Sequence, residues 1–320
     1  MDRRGFLKAA AITGVAAAGV VGGIYTLKRS DGLDILTQSV ENQQTGNTAD
    51  LVAVIGGEPE EMFRKAIAEV GGMGNFIKKG QKVCVKPNIG WDKKPELAAN
   101  TNPQLVGEIV RQALTAGASE VVVFDHTCDE WTKCYKNSGI EAAAKKAGAK
   151  VIPGNDETYY REISLPRGKS LKNAKVHRAI LDCDVWINVP ILKHHGGANM
   201  TIAMKNLMGI VWDRRIFHIR DLQQCIADSC TLEKKPILNI VDSYRLLKQN
   251  GPQGKSEADV VLAKALFLSQ DIVAVDTAAT KFFNQTRNMP LEHVVHISHG
   301  QDFNLGTMDI DRLNVKRIRM

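Results

Sequence analysis

The sequence predicts an α/β fold in which a mostly parallel sheet is flanked by helices, and three observations carry that prediction. Short β-branched runs alternate with helical patterns from Leu51 onward. The helical patterns are roughly 10 to 16 residues long, the length that right-handed crossover connections need. About 270 residues follow the N-terminal segments, enough for a single large domain or two intimate lobes. In order, a strand over 51–55 precedes a helix over 59–70, with Pro59 in the first turn where its missing N–H costs little. A strand over 82–85 precedes a helix over 103–116, and one over 120–124 precedes a helix over 131–147, with 150–152 returning to the sheet. Segments 160–165 and 176–181 suit a hairpin or edge ribbon, after which 184–189 is a core strand. Helices are expected over 200–210, 222–230 and 271–283, strands over 237–241 and 265–268, and a closing edge strand over 313–318.

The chain divides into an N-terminal signal or anchor over 1–30, a polar, amide-rich tether over 31–50 and the α/β body over 51–320. Arg3-Arg4-Gly5-Phe6-Leu7-Lys8 stands ahead of an uncharged small-residue run over 9–24. That reads as a twin-arginine export signal, with the twin-arginine translocase as partner and the periplasm, or a membrane anchor facing it, as destination. The other reading is an ordinary secretory signal or short anchor, for which the run is short and weakly apolar. Cleavage is left open, because Ala16-Ala17-Ala18 lies inside the run and no Ala-x-Ala follows before Lys28.

Residues 1–30 hold five of the 42 Lys/Arg and one of the 35 Asp/Glu, so the net +7 falls to +3 for the remainder. The basic whole-chain balance therefore does not argue for a nucleic-acid partner. Six cysteines occur without any C-x-x-C pair, which argues against an iron–sulfur or zinc-ribbon insert. Cys84 and Cys183 read as small core residues, while Cys128 with Cys134, and Cys225 with Cys230, are spaced for a disulfide in an oxidising compartment.

Five predicted strands end in polar clusters: Lys86-Pro87-Asn88, Asp125-His126-Thr127, Lys193-His194-His195, Asp242-Ser243-Tyr244 and Ser269-Gln270-Asp271. Ligands of open parallel sheets bind outside the carboxyl ends of the strands, so these clusters are expected to converge on one crevice. Gly196-Gly197 permits close backbone approach, Asn199 or Thr201 suits the cap of the next helix, and that helix N-terminus suits an anion. Thr201 and Lys205 would share a helix face, with Lys193 approaching from the opposite side. Adjacent His194 and His195 point in different directions on an extended backbone, so at most one serves the site. Asp125, His126, Asp242 and Asp276 nearby leave a divalent metal open, although no H-x-x-x-H or H-E-x-x-H spacing supports it. His293, His296 and His299 read as capping and packing groups. No G-x-S-x-G, Walker loop or G-x-G-x-x-G occurs at the required place, so no nucleotide cofactor is implied.

Val85-Lys86-Pro87-Asn88, the 184–189 strand with Pro190 to His194, Lys205-Asn206-Leu207-Met208-Gly209 and Asp271 to Asp276, in that order, resemble the bacterial family of domain of unknown function 362. Many members carry a ferredoxin-like insert, and this chain departs from them in lacking clustered cysteines. A weaker likeness, in kind only, joins Asp125-His126-Thr127 and Lys193-His194 to nickel-pincer lactate racemases. The expected function is an exported enzyme acting on a small anionic ligand. Lys86, Lys193 and Lys205 bind the anion, Asn88 and Asn206 orient it, and Asp125, His126 or His194 does acid–base work or holds a metal. The alternatives are a periplasmic ligand-binding or cofactor-assembly protein and a racemase-like enzyme on a hydroxy acid.

Overall fold

A computed structural model describes residues 48–320, together with the backbone of two short strand segments at Val20–Val21 and Ile24–Thr26. Those segments apart, the export-signal reading and the tether reading up to residue 47 lie outside the described residues. The body opens with β1 (Leu51–Ile55) and α1 (Pro59–Glu69), then β2 (Lys82–Pro87) and α2 (Pro103–Thr115), then β3 (Glu120–Val123). The helix expected over 131–147 is two helices, α3 (Trp131–Asn137) and α4 (Ile140–Lys146). Gly139 breaks it by taking φ 74, a left-handed conformation that glycine adopts without a Cβ penalty. After β4 (Lys150–Val151), the two-stranded ribbon forms from β5 (Tyr160–Ser164) and β6 (Asn173–His177). The second ribbon strand ends earlier than expected because His177 accepts the Ala179 N–H and caps a short helix, α5 (Arg178–Asp182).

The polar run after β7 (Val185–Val189) continues as a strand, β8 (Ile191–His195), which turns back through β9 (Asn199–Thr201). Met200 and Thr201 are therefore extended, and the helix expected over 200–210 is only α6 (Ala203–Asn206) followed by a 3-10 turn, Leu207–Ile210. Helices α7 (Arg215–Ile219) and α8 (Leu222–Ser229) lead to β10 (Leu238–Leu247) and β11 (Val260–Ser269), each ten residues long. The expected strands 237–241 and 265–268 are parts of this long hairpin. The chain closes with α9 (Ile272–Phe283), α10 (Val295–Asp302) and β12 (Val315–Arg319).

The sheet order is β12-β1-β11-β10-β7-β2-β3-β4. The pairings from β10 through β4 are all parallel, and β12 is parallel to β1. Only the contacts of β11 with β1 and β10 are antiparallel along this path. Beyond it, β8 pairs parallel with β10, and β9 antiparallel with β8. Strand alternation sends Leu51, Cys84, Trp186 and Phe267 to one apolar cluster, shared with α6, α8 and α9. It sends Val52, Val85, Ile187 and Leu268 to the other, shared with α1 and α2. The sheet is thus covered on both faces, which is the condition for parallel strands.

Neither disulfide that the cysteine spacings allow is present, and all six cysteines are free. Cys134 is buried while Cys128 is exposed beside the Arg214 guanidinium, which donates to its Sγ at 3.4 Å. Cys225 lies within α8 and Cys230 is its C-cap; five residues of helix turn the two side chains away from one another.

Candidate functional site

The ends of β2, β3 and β8 meet the α6 turn at one cleft of about 1010 Å³. At its floor, the fully buried Lys86 Nζ pairs with Asp125 Oδ1 at 2.8 Å. Burial pushes the Lys86 ammonium below its ordinary range, and the Asp125 carboxylate opposes that shift. The carboxylate also accepts the N–H groups of Ile89 at 2.7 Å through Oδ2 and of His126 at 2.9 Å through Oδ1. Gly209 is what lets the turn approach this pair. A Cβ there would overlap Asp125 Oδ1 and lie 2.6 Å from Lys86 Nζ.

A directional chain of amides positions the lysines. Asn239 Oδ1 accepts from Asn188 Nδ2 at 2.9 Å, and Asn188 Oδ1 accepts from Asn206 Nδ2 at 2.8 Å. Asn206 Oδ1 then accepts from Lys86 Nζ at 2.9 Å and Asn88 Nδ2 at 3.0 Å, and Asn88 Oδ1 accepts from Lys193 Nζ at 3.1 Å. Since the Lys86 ammonium can only donate, it sets the orientation of the Asn206 amide, and each further link follows.

Lys193, on β8 and 2% exposed, also donates to Ala99 O at 2.5 Å. Burial pushes it down to about 7, with the neighbouring Lys205 charge acting in the same direction. Lys205 on α6 is half-buried in the cleft wall, makes no hydrogen bond or ion pair among the described residues, and is pushed down by burial to about 8. Eight Lys/Arg against four Asp/Glu line the cleft, so it carries an excess of positive charge. Arg214 is fixed there by the carbonyls of His126 at 2.8 Å and Thr127 at 2.6 Å.

Of the three histidines that line the cleft, His126, His195 and His218, the first two take opposite tautomers. His126 Nδ1 meets Val211 O at 3.0 Å, so it carries the proton and leaves Nε2 as an acceptor. Its ring stacks on Trp212 with centroids 5.0 Å apart, and burial pushes it down to about 4. His195 Nδ1 accepts the N–H groups of Gly197 at 3.1 Å and Ala198 at 3.0 Å, so its Nε2 carries the proton and can only donate. Burial, reinforced by Lys205 and Lys193, holds it neutral, with its value lowered to about 2. The structure places His195, not His194, on the cleft. On a strand, Lys193 and His195 share a face while His194 turns to the other, where its Nδ1 accepts from Gly251 N at 3.1 Å. Read as a strand, the Lys-x-His spacing signals His195; read as a loop, it does not.

The predicted cleft residues Lys86, Asn88, Asp125, His126, Lys193, Lys205 and Asn206 all come together. Thr201 also reaches the cleft, from β9 rather than from a helix. The place expected for an anion at the α6 N-terminus is taken by a carboxyl group of the protein. Asp276 Oδ1 and Oδ2 accept the N–H groups of Ala203 at 2.8 Å and Met204 at 3.0 Å, and burial raises this carboxyl to about 8. Asp242 likewise accepts from Asn102 N at 2.7 Å at the start of α2, and Asp271 caps α9. Two of the five strand-end clusters therefore serve helix starts rather than the cleft. His293, His296 and His299 do not line it, and His296 is buried with its Nδ1 on Gln223 Oε1 at 2.6 Å. Among the described residues no group of three or more His, Cys, Asp or Glu stands in metal-binding proximity.

Residues 83–281 match the family described as domain of unknown function (DUF362). Among curated proteins, the "Thylakoid-associated protein sll1697" of Synechocystis sp. (strain ATCC 27184 / PCC 6803 / Kazusa) is 25% identical over 225 residues, 68% of either chain. Among solved structures, the lactate racemase apoprotein from Thermoanaerobacterium thermosaccharolyticum aligns with a TM-score of 0.44 and 12% identity. That alignment covers 74% of this chain and spans 57% of the racemase chain.

Proposed function

From the premise that the chain belongs to the DUF362 family of domains of unknown function, we propose that it binds a small anionic substrate in the basic cleft. One observation carries this reading: Lys205 presents an ammonium with no partner among the described residues to a cleft already rich in cations. Lys86 has its counter-charge in Asp125, whereas Lys205 has none, and a cation held away from bulk water favours an anion beside it. The His195 Nε2–H adds a neutral donor, and the His126 Nε2 accepts from a hydroxyl on the same ligand. Asn88 and Asn206 hold the lysines in register, and the site leaves the metal question open.

Two readings share this binding step. An enzyme would use His126 as base, removing a proton beside a carboxylate as in the hydroxy-acid alternative. A ligand-binding or cofactor-assembly protein would only hold the anion. The value of about 4 for His126 favours the second, because an efficient general base titrates near the working pH. The twin-arginine reading of residues 1–30 places the protein outside the cytoplasm or at a membrane facing that space. The thylakoid-associated relative is consistent with a membrane-proximal location. Calorimetric titration with acetate, lactate, oxalate and phosphate tests the reading. Binding weakened at least about ten-fold in Lys205→Met, with an unchanged circular dichroism spectrum, is expected for one lost charged contact. Equal affinity in that variant, or no binding of any of these anions, overturns it.

A further inference from the structure

Lys193 and Lys86 are both buried in the cleft wall, but only Lys86 has a carboxylate partner. The two acceptors at Lys193 Nζ, Asn88 Oδ1 and Ala99 O, are uncharged. An ammonium has three N–H donors, and a neutral amine has two with a lone pair. In a side chain 2% exposed, a third N–H without an acceptor is costly, whereas two donors on two acceptors leave only the lone pair over. That lone pair belongs to a group lining the cleft. The surroundings thus complement an amine, as around desolvated lysines that act as nucleophiles next to another cation.

We propose that Lys193 is a nucleophilic amine that forms an imine with the carbonyl carbon of an anionic aldehyde or 2-oxo acid. The proposal takes the seating of the substrate anion on Lys205 from the reading above; the uncharged partners of Lys193 do not depend on that reading. The Nζ lone pair forms a C–N bond, the carbonyl π pair passes to oxygen, and one of the two amine protons moves to that oxygen to give a carbinolamine. The hydroxyl then leaves as water with the second N–H proton while the nitrogen pair closes the C=N bond, so amine and carbonyl give imine and water with no change of oxidation state. His195, whose Nδ1 is occupied by backbone N–H groups, lines the same cleft and is assigned as the donor to the carbonyl oxygen. The lowering of Lys193 to about 7 supplies a large amine fraction at neutral pH.

The test treats the full chain at pH 7 with glyoxylate and sodium cyanoborohydride, which reduces an imine to a stable secondary amine, and maps modified lysines by peptide mass. Lys193 is expected to label at least about ten-fold faster than exposed lysines such as Lys150, whose side chain is 71% exposed. In Lys205→Met, labelling of Lys193 by glyoxylate slows more than labelling by formaldehyde, which has no anionic group and registers only the loss of the neighbouring charge. Labelling of Lys193 no faster than Lys150 with both reagents overturns the amine proposal, and intact phosphate binding by calorimetry then leaves the anion reading standing. Fast labelling by formaldehyde together with no binding of glyoxylate or phosphate upholds the amine and overturns the anion reading.

Discussion

Gly209 has only hydrogen where any other residue would put a carbon against the Lys86–Asp125 pair. Gly209→Ala is expected to separate two buried charges and lower stability by about 3–5 kcal/mol, the cost of breaking a buried pair. Urea denaturation checks this; a midpoint unchanged from wild type counts against the packing described. At this scale the sequence was informative wherever a polar residue follows a strand, which is how Lys86, Asp125 and Lys193 were found. It misleads at His194, because two adjacent histidines do not say which one faces the site, and the two-residue period of a strand selects His195. Asn188 and Asn239 were hidden for another reason. Nothing local marks an asparagine in an apolar strand as one link of a hydrogen-bonded chain until the partner strands are placed.

Helix starts account for the remaining polar clusters. Asp276 on α9 closes the first turn of α6, tying together two elements that are more than 60 residues apart in sequence. Asp276→Ala leaves two N–H groups without their acceptor, so a loss of about 1–3 kcal/mol or more is expected. Phosphate affinity should fall with it, since Lys205 lies on that turn. Stability and affinity both at wild-type values would mean that α6 does not depend on this cap. Strand and helix types along the N-terminal half were legible from their periodicity, as were the positions of α1 and α2 after Pro59 and Pro103. Two kinds of boundary were not. Gly139 divides a continuous helical pattern, and the β10–β11 hairpin extends beyond the expected 237–241 and 265–268 through polar residues such as Arg245 and Lys264. Those residues are held in the ladder by pairing with neighbours distant in sequence, and that outweighs local preference.

The whole molecule keeps its buried histidines neutral, and this sets its response to acid. His126 and His177 are both pushed down to about 4 by burial, from an ordinary 6.5. Between those values the unfolded chain binds more protons than the folded one, so the stability they contribute is complete above about 6.5 and is lost as pH falls toward 4. Asp242, raised to about 6, and Asp276, raised to about 8, act in the opposite sense, losing stability as pH rises through the carboxylate range. His177→Asn is expected to keep hydrogen-bonding groups while removing one titration, so its melting temperature should drop less than wild type between pH 6.5 and pH 4.5. Parallel melting curves for the two proteins would sink this account. The filling of the α6 N-terminus by Asp276 has a consequence for any occupant of the cleft. Backbone amides that cradle an anion do not titrate, so such a grip ignores alkalinity. Here that cradle is already taken, and a visiting anion meets side-chain cations instead, among them Lys205, whose charge disappears as pH passes through about 8. Retention of the occupant thereby becomes a function of the medium, firm in neutral surroundings and released in alkaline ones.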